Sequence, residues 1–294
     1  MQKIIAILLA LLCLALPAFA EEAETAEVLQ VHSLMLGCAD GFLIRLGDVE
    51  ILVDGGNALP QAPTDDVVNY LRDVGVDTLD VIIITHWHLD HCMNLNEVLT
   101  EFGRDDTVIY SPADRVPDEI DNGTVVVKVG PLVKGTHQQM KMGDVLTYGD
   151  MVITCIGPER LSQNGGANVD SLNFVLQYGE RRFLFTGDYA QSGSINGEYK
   201  ELCANVDVLK FPHHAIEPYE IGNNAMRVVR PEWVLVSGAT STSKIWKFAG
   251  DLGVNVPRDR VLTNGNGNIV FLTDGGERFE ILTQVQPAEF AANY

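Results

Sequence analysis

The sequence predicts an α/β protein built as a four-layer αββα sandwich, two sheets packed face to face with helices outside. Three observations carry that expectation. Strand-like runs first cluster and then alternate with helix-like runs, and they do so twice along the chain. Hydrophobic residues make up 46% of the chain, enough for a large core. Residues 28–294 hold no convincing linker, no tandem repeat and no low-complexity segment, and so read as one domain.

Residues 1–20 stand apart from that fold. Lys3 gives a positive start, residues 4–16 an apolar run, and Ala18-Phe19-Ala20 before Glu21 an AxA cleavage site, the pattern of a signal peptide on an exported protein. The run is shorter than the roughly 20 residues a membrane span needs. Cys13 follows Leu12, where a lipid-anchor signal wants a small residue. Residues 21–27 read as an acidic tether. Cleavage removes Lys3 and no acid, moving the formal charge from -20 to -21. Such a charge repels polyanions and argues against a broad grip on duplex nucleic acid. A small phosphoester stays allowed, because bound divalent cations reverse the local field.

Within the domain, residues 29–36, 42–46 and 50–53 read as short strands parted by Gly41 and Gly47-Asp48, a β meander. Thr64 looks like the cap of a helix over residues 67–71, closed near Gly75. Residues 79–85 form a strand, 93–102 a helix behind it and 106–110 a further strand. Residues 111–150 are irregular apart from a β-rich run at 124–129. Then follow strands at 151–156, 171–178 and 181–185, a helix at 194–204, a strand at 206–211 and a helix at 221–229 stopped by Pro231. A strand at 233–236, a helix at 244–252 ending at Gly253, and strands at 261–263, 268–272 and 278–282 finish the chain.

The chemistry gathers at Val81-Ile82-Ile83-Ile84-Thr85-His86-Trp87-His88-Leu89-Asp90-His91, a β-branched run that leads straight into three histidines and an aspartate. His86 and His88, two apart at an extended strand end, point to one side, while Asp90 and His91 follow within a turn and reach a second point. Two neighbouring divalent metals suit this spacing better than one. Imidazole nitrogen and carboxylate oxygen are accepted by zinc, manganese and iron, and affinity order does not choose among them. Other residues receive blander readings: His32 as packing, His137 as a solvated loop residue, Trp87 as packing and Cys92 as a small buried side chain. Cys38, Cys92, Cys155 and Cys203 form no CxxC and read as small apolar residues rather than as a disulfide framework.

HWHLDH at residues 86–91 resembles the HxHxDH signature of the metallo-β-lactamase superfamily. Residues 31–44 look like a degraded VxFLDVGQGDAxLI, the opening of the branch that includes the hydrolase domain of ComEC/Rec2-type competence proteins. ILVDGG at 51–56 is similar to that branch's ILIDGG, residues 168–172 to its NxxSL, FLFTGD at 183–188 to FLLTGD, and LKFPHH at 209–214 to LKVxHHGS. The resemblance implies the metallo-β-lactamase fold, with Asp188 bridging two metals and one of His213 and His214 completing the second. His213 is preferred there, with His214 beside it or facing substrate. The first metal's third His has no counterpart in residues 165–171, which leaves Asn168, Asp170 or water for that position. Two departures stand on the substrate side: VGQGD is here Leu36-Gly37-Cys38-Ala39-Asp40, and a YGHP segment is replaced around residues 241–246.

What the resemblance implies is a metal-dependent hydrolase with two divalent ions, zinc first and manganese or iron as alternatives. The cations would share a water, lower its pKa and stabilise the charge that develops. Asp90 and Asp188 are the catalytic candidates, Asp90 also to orient that water or pass a proton. A phosphoester or phosphodiester is the first substrate class, a lactam, lactone or thioester the second; a secreted non-catalytic binding protein on the same scaffold is the third reading. No GxSxG elbow or P-loop competes.

Overall fold

A computed structural model describes residues 27–56, 67–121, 126–238 and 243–294. The signal-peptide segment, nearly all of the tether, the Thr64 cap and part of the 241–246 departure lie outside the described residues. The first half of the chain runs β1 (Leu29–Ser33), β2 (Gly41–Leu46), β3 (Val49–Asp54), α1 (Val67–Asp73), β4 (Val81–Ile83), α2 (Leu89–Cys92), α3 (Leu95–Phe102) and β5 (Val108–Ser111). Then come β6 (Glu119–Asp121), β7 (Val126–Lys128), β8 (Thr136–Gln139), β9 (Val145–Tyr148), β10 (Met151–Gly157), β11 (Asn173–Tyr178) and β12 (Arg181–Phe185). The last part holds α4 (Ser192–Asn196), α5 (Lys200–Cys203), β13 (Val208–Lys210), α6 (Asn223–Val229), β14 (Trp233–Val236) and α7 (Ser243–Asp251). β15 (Val261–Thr263), β16 (Asn268–Thr273), β17 (Phe279–Val285) and α8 (Pro287–Ala291) close the chain.

Two large sheets form, in the orders β17-β16-β1-β2-β3-β4-β5-β8 and β15-β14-β13-β12-β11-β10-β9, with β6 and β7 as a separate pair. Side-chain alternation along a strand sorts the apolar residues into three layers. On β4, Val81 and Ile83 join Phe42, Phe174, Phe185 and Phe271 between the sheets. Ile82 turns the other way, into a cluster with Val67, Tyr70, Leu71, Val98 and Phe102 under the first pair of long helices. Leu184 on β12 likewise faces Ala225, Met226, Val229 and Ile245 on the far side. Helix, sheet, sheet, helix is therefore the stacking, the αββα sandwich.

Phe174 has 0% exposure and stacks on Phe185 with centroids 4.8 Å apart at the middle of the inter-sheet layer. Phe174→Ala is expected to cost about 3–5 kcal/mol, the range for emptying a buried aromatic site. Urea unfolding checks this: the midpoint should fall with an unchanged slope.

The fold departs from the sequence reading in several places. Residues 111–150 contain β8, a polar strand, and β9, a mixed one, at the edges of the two sheets. The helix expected over 194–204 is two pieces, broken at Gly197, where an added Cβ would lie 2.8 Å from the Gly193 carbonyl oxygen. A terminal helix, α8, was not anticipated; its Phe290 packs edge-on against the buried His32 ring. His137 is not a solvated loop residue but sits half-buried on β8, its Nε2 2.8 Å from Ser111 Oγ. Of the four described cysteines, Cys92, Cys155 and Cys203 are buried; Cys38 is exposed, against the expectation of a core role, and all four are free thiols. Among the described residues no helix is long and apolar enough to cross a membrane.

Candidate metal centre

β3, β4, β5 and β8 run parallel, as do β12 to β15 in the facing sheet. Their C-terminal ends feed loops into one place. Asp54 ends β3; its carboxylate accepts from Thr85 N and from Thr85 Oγ1, each at 2.7 Å, which ties the end of the ligand strand to its neighbour. His86 follows directly. The single turn α2 then carries Asp90 and His91, its first bond running from His91 N to His88 O at 3.0 Å. Asp188 follows β12, and His214 follows β13.

Among the described residues Asp40, Asp54 and His91 form one donor group, and two further groups share one residue. His86, His88 and Asp188 make one; Asp90, His91, Asp188 and His214 make the other, with the donor atoms of each group within 4.8 Å of one another. Asp188 Oδ2 lies 3.7 Å from His86 Nε2, while Oδ1 lies 3.2 Å from His91 Nε2 and 3.6 Å from His214 Nε2. His214 Nε2 is also 3.4 Å from Asp90 Oδ2. His86 Nε2 and His88 Nδ1 stand 3.0 Å apart.

The other nitrogen of each imidazole is held by the protein, which fixes ring orientation. His91 Nδ1 meets Asp54 Oδ2 at 2.9 Å, His88 Nε2 meets the Gly166 carbonyl oxygen at 3.1 Å, and His214 Nδ1 meets Ser237 Oγ at 3.2 Å. His86 Nδ1 sits 3.3 Å from both Thr85 Oγ1 and Ser171 Oγ. By contrast His91 Nε2, His214 Nε2 and Asp188 Oδ1 are buried with no hydrogen-bond partner, and they face one another. Buried polar atoms are almost always paired, so three converging orphans fit a cation. Imidazole and carboxylate donors suit zinc, manganese or iron alike.

Electrostatics agree with a ligand role. Burial alone would raise the Asp188 carboxyl, but His91, His86 and His214 outweigh it and hold it well below the usual range. Asp90 behaves the same way: burial raises it, and His91 and His214 pull it down further than burial lifts it. Burial, helped by the charge of His91, pushes His86 well below its ordinary value. Burial also pulls His91 down, but Asp188, Asp54 and Asp90 overcome this and raise it well above. Ionised carboxylates and the neutral His86 are in metal-binding form; His91, held protonated by its three carboxylates, must release a proton as a cation replaces it.

Three sequence expectations need correction. His214, not His213, reaches the second group. His213, His214 and Ala215 have φ of 51°, 50° and 60°, a left-handed run that throws His213 out toward Asn168 (Nε2 to Nδ2, 3.2 Å) and turns His214 in. Asn168 is thereby engaged away from both groups. Asp170 is no ligand either: its two carboxylate oxygens accept from the backbone N–H of Ser162, Gln163 and Gly165, so it shapes the loop whose Gly166 carbonyl holds His88. The first group keeps His86, His88 and Asp188.

The structure also adds residues the motifs did not single out. Lys210, 2% exposed at the end of β13, has its Nζ against Asp40 Oδ2, 2.8 Å from the Gly187 carbonyl oxygen and 4.0 Å from Asp188 Oδ1. Burial would lower this ammonium, yet Asp40 and Asp188 raise it above its ordinary value. A lysine closing an otherwise apolar strand was the one available signal, since a buried ammonium demands a carboxylate.

A model of the Metallo-beta-lactamase superfamily matches residues 40–217, more than half of the chain and all of the groups above. The metallo-beta-lactamase fold protein YhfI from Bacillus subtilis is similar in structure, with a TM-score of 0.51 and 15% identity over 83% of this chain and 100% of that one. Igni18, a novel metallo hydrolase from the hyperthermophilic archaeon Ignicoccus hospitalis KIN4/I, gives a TM-score of 0.52 and 15% identity over 83% of this chain and 98% of that one. At such identities these likenesses speak for the fold alone. No curated protein matches the chain.

Proposed function

The chain belongs to the metallo-beta-lactamase superfamily as a metal-dependent hydrolase, and we propose that it is an exported enzyme with two divalent cations, zinc first, whose substrate is a small phosphoester, foremost a phosphodiester. One observation carries the reading: two His/Asp groups that share Asp188. Bound there, two cations would lower the pKa of a water toward neutrality and stabilise negative charge as it develops, chemistry suited to in-line displacement at phosphorus.

The chain's own groups divide the remaining work. Asp188 fixes the separation of the two groups. Asp54 and Ser237 lock the rings of His91 and His214. Of the carboxylates Asp40, Asp54, Asp90 and Asp188, only Asp90 is open to solvent, with 25% side-chain exposure, so it is the one placed to orient a water, take its proton and hand that proton to a leaving group.

The choice of a phosphoester over a neutral lactam, lactone or thioester rests on the surroundings. A groove of about 630 Å³ lies on the same strand-end rim, lined by Pro112, Met142 and Pro158, by Lys141 and Arg160, and by one acid, Glu159, so its lining carries a net positive charge. Those two cations are exposed and form no ion pair among the described residues. In a chain of charge -20, they offer an anionic substrate a favourable approach. The sequence likeness to ComEC/Rec2-type hydrolase domains supports the same class, and residues 1–20 support export.

Metal analysis of the mature protein, paired with turnover of bis-p-nitrophenyl phosphate and nitrocefin after loading with zinc or manganese, tests this. Two ions per chain and phosphodiester turnover are expected, with EDTA removing the turnover and lowering the Tm. Nitrocefin turnover alone would move the substrate to the lactam class. No metal and no turnover under any ion would leave a binding protein on this scaffold.

A further inference from the structure

We propose that Lys210, Asp40 and Ser237 form a directed hydrogen-bond chain that sets the tautomer of His214 and leaves its Nε2 bare toward Asp90 and Asp188. The inference rests on reading His214 as a metal ligand. The direction follows from which groups are able to donate. Lys210 Nζ donates to the Gly187 carbonyl oxygen and forms an ion pair with Asp40 Oδ2, which keeps the Asp40 carboxylate ionised. An ion-paired carboxylate has no proton to give, so the close contact between Ser237 Oγ and Asp40 Oδ1 is made by the serine hydroxyl. That uses the only proton Ser237 has. Its oxygen then faces His214 Nδ1, 3.2 Å away, with lone pairs alone, and Nδ1 must carry the hydrogen. A neutral imidazole protonated on Nδ1 is bare on Nε2, the atom 3.4 Å from Asp90 Oδ2 and 3.6 Å from Asp188 Oδ1 that has no other partner.

The chain also crosses the sandwich. Lys210 ends β13 and Ser237 follows β14 in one sheet, whereas Asp40 precedes β2 of the other. His214 is therefore keyed to the sheet that supplies Asp90 and His91. These three are positioning residues, acting through His214 and not on substrate.

Asp40→Asn provides a test that packing alone would not mimic. The ammonium of Lys210 holds the amide oxygen, so the amide NH2 turns to Ser237, the serine hydroxyl is driven to donate to His214 Nδ1, and the tautomer inverts. Nitrogen NMR of the full mature chain labelled with 15N-histidine, metal-free and at mildly alkaline pH, reads the tautomer directly. Zinc affinity by chelator competition reads the consequence. Wild type should show His214 with a bare Nε2, and D40N should show the inverted form. S237A should weaken the zinc held by Asp90, His91, Asp188 and His214 about tenfold and D40N about a hundredfold, the range for partners of ligating imidazoles. A wild-type His214 carrying its hydrogen on Nε2, or a folded D40N with an unchanged tautomer, overturns the proposal. S237A, which removes one hydroxyl, decides if D40N does not fold: zinc affinity equal to wild type then overturns it. If wild type binds no zinc, the proposed function fails, while the NMR result still decides the tautomer.

Discussion

Asp188→Asn should abolish hydrolysis, lowering kcat/KM at least about a thousandfold, which is about 4 kcal/mol of lost transition-state stabilisation. The size follows from the sharing. Of the two groups that meet at Asp188, any other ligand serves one; Asp188 serves both, one oxygen toward His86 and the other toward His91 and His214. An amide of the same shape keeps one weak acceptor, turns N–H donors toward orphaned imidazole nitrogens on the other side, and removes the charge that offsets two cations. Metal content should fall from two ions to one or none, and the Tm gain on adding zinc should shrink with it. Turnover, metal analysis and thermal melts with and without zinc check all three together. A variant that keeps two ions and full turnover would remove Asp188 from the centre and with it the shared-ligand reading.

Much of the site was legible because its spacing is local. A β-branched run that ends in His86 and His88, with Asp90 and His91 one turn on, sends two pairs of donors to two points, and the structure brings those pairs into two separate groups. Choosing between His213 and His214 was not legible. The choice depends on a left-handed backbone at three successive residues, none of them glycine, so no residue in the segment announces it. Lys210, Asp40 and Ser237 were out of reach for another reason: Ser237 and Asp40 are 197 positions apart, and only the stacking of the sheets makes them neighbours. β8 escaped because its Thr136, His137, Gln138 and Gln139 leave no hydrophobic period of two to read, and β9 because Val145 stands exposed beside the inward Leu146 and Tyr148 and blurs the alternation.

Gly56→Ala should do more damage than its size suggests, and the adjacent Gly55→Ala should do little. The two glycines sit where β3 leaves its sheet and passes beneath α2. Gly55 N donates to His91 O at 2.8 Å and Gly56 N to Asp40 O at 3.2 Å, while Asp40 N donates to Asp90 O at 3.0 Å. A Cβ on Gly56 would lie 1.9 Å from Asp90 C, 2.0 Å from Asp90 O and 2.3 Å from His91 N. All three are backbone atoms, so no rotamer change relieves the overlap; the peptide carrying two metal ligands has to move. A cost of about 3 kcal/mol is expected from overpacking, together with loss of the ion held by Asp90, His91, Asp188 and His214. At Gly55 the nearest atom to an added Cβ is Leu52 Cδ2 at 3.5 Å, an ordinary contact, and the change should stay within about 1 kcal/mol with full metal content. Neither glycine has the left-handed φ that would demand glycine on conformational grounds. The comparison therefore isolates space from backbone freedom. Urea denaturation and metal analysis of the pair decide it: equal behaviour of the two variants would mean that the close approach of Gly56 to the Asp90 peptide does not hold the ligands in place.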